Sequence, residues 1–395
     1  MFMEKKIFTT LFLAVFANIT GVGIVVPLLP VYAKNLGASG FYIGLIFGAF
    51  SLSRTFLLPV FGKLSDKHGR KPFITTGLFA YFLVSIAFIF TNTVPGLIFI
   101  RFLHGAASAM LLPVIQAYVG DLTKDGKEGI TMGIFNISMF TSLSLGPLLG
   151  GFINDKFSLE YAFLSMGMFA LFAFFLSVIF LPKTSDESIR NKAYKPYKFR
   201  KLIKNKVFAG LAVFRFSYTT CIGIIWCFLP VYADQKFNMN STRIGILVMS
   251  GVFTSGIMHA PIGYLSDKMN KKVLVFTGGI ICAIGLLLTG FGTGFYSILG
   301  AVIIFGLGGG ISMPSIMALA VIHGKNENAM GGVMSLLTVA HSLGMLAGSV
   351  LAGIIMDLRG LKSAFPTGFA IMITGTFIFL YLDHVKKTKD QQAGE

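Results

Sequence analysis

The chain has 395 residues, 54% hydrophobic and only 12% charged, with a mean hydropathy of +0.78. A soluble domain carries about 25% charged residues, so this composition excludes an ordinary water-soluble enzyme and points to a membrane. Each helical span of a bilayer takes about 20 apolar residues, and twelve such runs follow one another. They cover 7–33, 41–62, 72–92, 95–120, 131–153, 161–181, 207–233, 243–264, 273–292, 295–322, 331–356 and 363–382. The first follows Lys5 and Lys6 as a signal sequence would. It is too long for one, and Pro27 and Pro30 stand where small cleavage-site residues belong. It therefore reads as an uncleaved first helix. Short alternating strands, the mark of a membrane barrel, do not occur.

The second half repeats the first. Residues 62–72, Gly-Lys-Leu-Ser-Asp-Lys-His-Gly-Arg-Lys-Pro, return in edited form at 263–272 as Gly-Tyr-Leu-Ser-Asp-Lys-Met-Asn-Lys-Lys. Leu29–Ala33 recurs as Leu229–Ala233, Gly105 and Pro113 recur as Gly306 and Pro314, and the Gly146–Gly151 run recurs at 348–353. Asp155 and Asp357 follow those last two segments. Six spans per copy make the repeats parallel, related by an axis along the membrane normal. The expected division is a first half at 1–182, a basic cytoplasmic linker at 183–206, a second half at 207–385 and a tail at 386–395.

The net charge of +17 is not spread evenly. With the N-terminus inside, 24 Lys and Arg fall in inner segments and six on the outer side. The outer six are Lys34, Lys156, Lys236, Arg243, Arg359 and Lys362. This is the positive-inside bias, which places both termini in the cytoplasm. It also assigns the basic, aromatic stretch Tyr194–Lys206 to an anionic leaflet rather than to nucleic acid. Cys221, Cys227 and Cys282 lie in spans with no metal spacing and read as small buried hydrophobes. No phosphate loop, nucleophile elbow or zinc pattern appears. The chain is therefore not expected to be an enzyme, and no metal or cofactor is expected.

Twelve spans, two parallel halves and a Gly-x-x-x-Asp-x-x-Gly-Arg-Lys turn together resemble the major facilitator superfamily. The turn matches at Gly62, Asp66, Gly69, Arg70 and Lys71; its second copy keeps Gly263, Asp267 and Lys271 but has Asn270 in place of glycine. Asn tolerates left-handed backbone better than other non-glycine residues, so the turn geometry is expected to survive there. Asp66 is expected to favour a helix N-terminus, with Arg70 and Lys71 at the anionic leaflet. The resemblance implies that this turn gates the cytoplasmic side. Gly146-Pro147-x-x-Gly150-Gly151 resembles the antiporter motif of drug–proton exporters, less a glycine where Ser142 stands. Gly146 and Gly150 share a face for close helix packing, as do Gly344 and Gly348. Pro147 removes a backbone hydrogen bond and should bend its helix. Helix 1 resembles that of tetracycline-efflux exporters, with neutral Asn18 where Asp is common. Arg101-Phe-Leu-His104-Gly105 resembles the family's helix-4 pattern, in which the Arg is implicated in proton coupling.

The charges inside the spans bear on cargo. Arg54, Arg101, His104, Arg215, His259 and His341 fall there, while all 16 Asp and Glu fall in termini, loops or span ends. A charge inside the bilayer costs at least about 2.5–3.5 kcal/mol, so a persistent one is a functional candidate. Cations without a deep acid favour an anionic or strongly hydrogen-bonding cargo. The family's cavity-lining helices single out Asn18, Arg101, Gln116, Arg215 and Tyr218, with Arg54 near mid-depth. Proton-coupling candidates are Arg101 by resemblance, and His104, His259 and His341 because histidine titrates near neutral pH.

The fold expected is all-α and integral to the plasma membrane. Twelve transmembrane helices form two parallel six-helix halves. The activity expected is secondary transport by alternating access, with export of a small amphipathic or anionic compound. The alternatives are a proton-driven multidrug cation exporter, uptake of an organic anion or sugar, and a non-transporting membrane sensor. The partners expected are a small molecule, protons as a candidate coupling ion, and the bilayer; the chain is expected to be a monomer that binds no nucleic acid.

Overall fold

The computed structural model describes residues 5–123, 128–182, 202, 204–327 and 329–392; for Lys5, parts of 121–137, Asn326, Met330 and 383–392 it describes backbone alone. Most of the expected linker, 183–201, and the extreme C-terminus lie outside the described residues. The regular elements among the described residues are helices. In chain order they are α1 (Lys5–Asn35), α2 (Gly40–His68), α3 (Arg70–Phe90), α4 (Val94–Ala109), α5 (Leu112–Leu122), α6 (Glu128–Lys156) and α7 (Leu159–Phe180). There follow α8 (Lys206–Phe237), α9 (Ser241–Lys268), α10 (Lys271–Gly290), α11 (Phe295–Asn326), α12 (Met330–Arg359), a 3-10 turn (Leu361–Ser363) and α13 (Ala364–Gln392). Among the described residues, eleven segments are long and apolar enough to cross a membrane. The twelfth run, 131–153, coincides with the 29-residue α6.

One expected span is broken. The run 95–120 divides into α4 and α5 at Met110 and Leu111. Pro113 causes the break. It has no N–H to give Ala109, and its ring would press on that carbonyl. Met110 and Leu111 bond three residues back, to Ala107 and Ser108, and the α pattern resumes at Ile115. Elsewhere proline does not stop a helix: Pro27 and Pro30 in α1, Pro147 in α6 and Pro314 in α11 all lie inside continuous helices.

The chain forms two compact units. One comprises Met1–Ala38, Ala49–Tyr194 and Asn238–Met249; the other comprises Ser39–Gly48, Lys195–Phe237 and Ser250–Glu395. They follow the sequence repeat except that the first turns of α2 and α9 each join the unit of the opposite half. Packing repeats as well. In the first unit α1 packs on α6 and α7, and α3 packs on α7; in the second α8 packs on α12 and α13, and α10 packs on α13.

Glycine sets the closest of these contacts. A methyl on Gly23 would lie 2.9 Å from Gly146 Cα, and one on Gly150 would lie 2.9 Å from Ile24 Cα. The Gly146–Gly150 face therefore carries α1. In the second unit Gly344 and Gly348 bear on the backbone of α8, against Phe216 and Thr220.

Candidate functional site

Each unit holds a polar cluster inside its apolar helices. In the first, Arg101 on α4 is 3% exposed and His104, one turn on, is fully buried. Arg101 donates from a terminal nitrogen to His104 Nδ1 at 3.1 Å. A guanidinium only donates, so Nδ1 is the lone-pair acceptor and the ring proton sits on Nε2. That Nε2 is buried with no hydrogen-bond partner. The guanidinium also lies over the Phe50 ring, 4.4 Å from its centroid, a cation–π contact that partly replaces lost water. The rings of Phe50, Tyr81 and Phe88 surround His104 edge-on at 5.1, 4.6 and 5.9 Å. Tyr81 donates to the Asn18 carbonyl at 2.9 Å, while Asn18 Oδ1 and Thr20 Oγ1 are buried without partners. Gly105 admits this packing, because a methyl there would overlap Ser53 Oγ and the Phe50 carbonyl.

In the second unit the centre is Arg215 on α8. It donates to Met313 Sδ on α11 at 2.7 Å and to His341 Nδ1 on α12 at 3.2 Å. Its Nε is buried and has no hydrogen-bond partner. No carboxylate pairs with Arg215 among the described residues. His259 on α9 donates from Nδ1 to the Ser255 carbonyl at 2.6 Å, so its proton sits on the nitrogen opposite to that of His104. Tyr218, one turn beyond Arg215, stacks flat on Phe305 at 5.9 Å and 6°. Gly309 leaves room for the Tyr218 ring.

Burial separates the candidate residues. Asn18, Arg101, His104 and Tyr218 are enclosed within their units. Arg54, Gln116, Arg215, His259 and His341 are half-buried. Arg54 on α2 has a buried Nε without a partner. Gln116 donates weakly to Met139 Sδ at 3.7 Å. Sequence reading missed Met313, Phe50, Tyr81 and Phe305. The repeat could have found the last, because its offset of 201 sets Phe305 opposite His104 and Ser255 opposite Arg54.

The charged turn differs from its expected form. Among the described residues Asp66 pairs with the side chain of Arg70, the first residue of α3, and Arg70 also donates to Ser65 Oγ at 2.7 Å. Arg70 is only 6% exposed rather than at the leaflet, because those two partners satisfy it locally. Lys71 turns inward and donates to the Val178 and Leu181 carbonyls at 2.7 and 2.6 Å, ending α7. Gly62 and Gly263 both face open space. In the second copy Asp267 and Lys271 keep their places, and Ser266 repeats the bond of Ser65. The backbone does not repeat. Gly69 has φ +89 and ψ 157, whereas Asn270 has φ −66 and caps α10 by accepting from Lys272 N at 3.0 Å. Asn tolerates the left-handed helical region, but the region of Gly69 is open essentially to glycine alone. The substituted turn therefore takes another path.

The family model of the major facilitator superfamily matches this chain over residues 11–329 and 211–395. The chain belongs to the major facilitator superfamily. Its architecture agrees with a solved superfamily fold: a mutant of the nucleoside transporter NupG superposes with TM-score 0.83 at 12% identity, covering 95% of this chain and 99% of that one. The uncharacterized MFS-type transporter MJ1560 of Methanocaldococcus jannaschii is 28% identical, covering 94% of this chain and 97% of its own. The quinolone resistance protein NorA of Staphylococcus aureus is 26% identical, covering 98% and 100%. This superfamily member is thus a multi-pass membrane transporter of small molecules and not an enzyme.

Proposed function

We propose that the chain is a secondary transporter working by alternating access that exports small amphipathic compounds bearing an anionic or strongly hydrogen-bonding group. The observation that carries this reading is Arg215, whose charge is met by an imidazole and a thioether rather than by an acid. A carboxylate beside it would neutralise the site. His341 and Met313 orient the guanidinium and leave its charge for cargo. The stacked Tyr218–Phe305 pair one turn away is itself enclosed and backs the apolar surroundings of Arg215. In the first unit the half-buried Arg54 and Gln116 are the candidates for cargo contact, whereas Asn18 and Arg101 are enclosed. Similarity to a protein named for quinolone resistance supports export over uptake.

Proton coupling would act through the same group. His341 Nδ1 accepts from Arg215, so a proton on that nitrogen and the Arg215 bond exclude each other. Proton uptake would then release the guanidinium to cargo. His104 and Arg101 offer a second such pair, and His259 a third titrating group. The cytoplasmic position of both termini rests on the distribution of Lys and Arg. In this reading the turns at 62–72 and 263–272 gate that side.

The test is a thermal-shift and proteoliposome flux comparison, with and without a pH gradient. Its probes are nalidixic acid, its methyl ester and ethidium. Stabilisation and flux with the acid, weakened for the ester and lost in Arg215→Ala and Arg54→Ala, are expected. Response to ethidium alone would overturn the anionic reading in favour of the runner-up, a proton-driven multidrug cation exporter.

A further inference from the structure

The two short segments that join the opposite units begin α2 and α9, and each is held by one carboxylate. In the first unit Asp155, near the end of α6, accepts from Ser241 N at 3.0 Å and from Thr242 N at 2.7 Å. In the second Asp357, near the end of α12, accepts from Gly40 N at 2.6 Å and from Phe41 N at 2.8 Å. The arrangement repeats at the offset of the duplication. In each case an acid that ends one long helix grips the first turn of another, far away in sequence.

A helix start exposes N–H groups without intrahelical partners and carries partial positive charge. Local residues usually satisfy them. In α9 the accounting is complete and only half local. Arg243 N bonds Asn240 Oδ1 and Ile244 N bonds the Asn240 carbonyl, while the two leading donors go to Asp155. Around both grips the helices meet backbone to backbone. A methyl on Gly40 would lie 2.5 Å from the Gly353 carbonyl; one on Gly151 would overlap the Ser241 carbonyl, and one on Gly245 the Pro147 carbonyl. Glycine faces carry no interlocking side chain, so they can part without unplugging one another. The carboxylates are exposed, so water can take over their bonds as they let go. Strong, charge-assisted and replaceable by water is what a reversible catch requires.

We propose that Asp155 and Asp357 are positioning residues for transport: a symmetry-related pair of catches on the starts of α9 and α2, whose joint release is a step of the cycle. The pair is unequal, because Asn154 Nδ2 also donates to Ser241 Oγ at 2.7 Å. Gly40, at the matching place, has no side chain to receive such a bond. The Asp357 catch is therefore the weaker one. The inference rests on the superfamily's transport activity and not on which cargo is carried.

Hydrogen–deuterium exchange of the purified full chain without ligand tests it. Peptides covering 39–45 and 240–246 are followed in the wild type, Asp155→Ala and Asp357→Ala. Joint release predicts that either variant speeds exchange at both helix starts, by about tenfold at its own. A merely local cap would loosen only its own helix, and that result would overturn the proposal, as would unchanged exchange at both. Should an alanine variant fail to fold, Asp155→Asn and Asp357→Asn, which keep one acceptor oxygen, carry the same comparison with smaller increments. In proteoliposomes the folded variants are expected to change turnover and leave KM within about twofold. A change confined to KM would count against a positioning role.

Discussion

Two glycine-to-alanine substitutions isolate helix packing from helix propensity. Gly146 lies in α6 against α1, and a methyl there would sit 2.7 Å from the Thr20 carbonyl and 2.8 Å from Gly23 Cα. Ordinary contact begins near 3.4 Å, so the helices would have to part by about 0.7 Å (3.4 less 2.7). Both near atoms are backbone, and no flexible side chain can move aside. Overpacking of this kind costs about 1–3 kcal/mol, while replacing a mid-helix glycine returns up to about 1 kcal/mol of propensity. Gly62, the first residue of the charged motif, lies in α2 with nothing within 4 Å of its would-be methyl. Gly62→Ala therefore keeps only the gain. The propensity contributions cancel in the comparison, leaving Gly146→Ala about 1–3 kcal/mol less stable than Gly62→Ala. Thermal unfolding of the two variants and the wild type in one detergent measures this. The expected order of melting temperature is Gly62→Ala at or above wild type, with Gly146→Ala below. Equal melting of the two variants, or a larger loss for Gly62→Ala, would refute the assignment of Gly146 to a backbone contact and of Gly62 to open space.

Exchanging residues between the two turns should be costly in one direction only. Gly69→Asn forces a side chain into φ +89, ψ 157, at about 1–3 kcal/mol; Asn270→Gly loses a side-chain cap, for a few tenths of a kcal/mol. Paired melting curves check the asymmetry, and equal losses would contradict it. Lys71→Met should loosen the end of α7 by removing both bonds to Val178 and Leu181, about 1–2 kcal/mol after allowance for partial exposure. Faster exchange in a peptide spanning 176–182, corrected by Lys71→Arg, is the expected readout. Tyr81→Phe removes the buried bond to Asn18 and should cost about 1 kcal/mol in melting, with nalidixic acid flux retained, because Tyr81 is enclosed away from cargo.

Sequence patterning disclosed the architecture because the bilayer imposes it: runs of about 20 apolar residues have few other uses. It disclosed the repeat because Gly, Pro and Asp at turns answer to backbone geometry that survives duplication. What it could not disclose was direction. Arg101 and Arg215 are both lone arginines in apolar runs, yet one is sealed behind Phe50 and the other is half-exposed. Which way a long side chain turns depends on groups from other helices, such as Phe50 for Arg101 and Met313 for Arg215, which lie far away in the chain. The same limit hid the break before Pro113, since Pro314 at the matching position interrupts nothing. Proline supplies the strain, but neighbouring helices decide whether a helix yields to it. At Asn18 and Thr20 the polar residues could be named, but that their side-chain oxygens go without partners is a three-dimensional fact.

The bonds from Lys71 to the last carbonyls of α7 reach further than the helix they end. The Tyr118 hydroxyl on α5 donates to the next carbonyl, that of Pro182, at 2.6 Å. The point where the chain leaves its first six spans is thus moored to α3 and α5. A tether moored at its root cannot absorb tension by unravelling the helix behind it. Strain entering at residue 183 would arrive at Lys71 in the first turn of α3, two residues beyond Gly69, as a mechanical load.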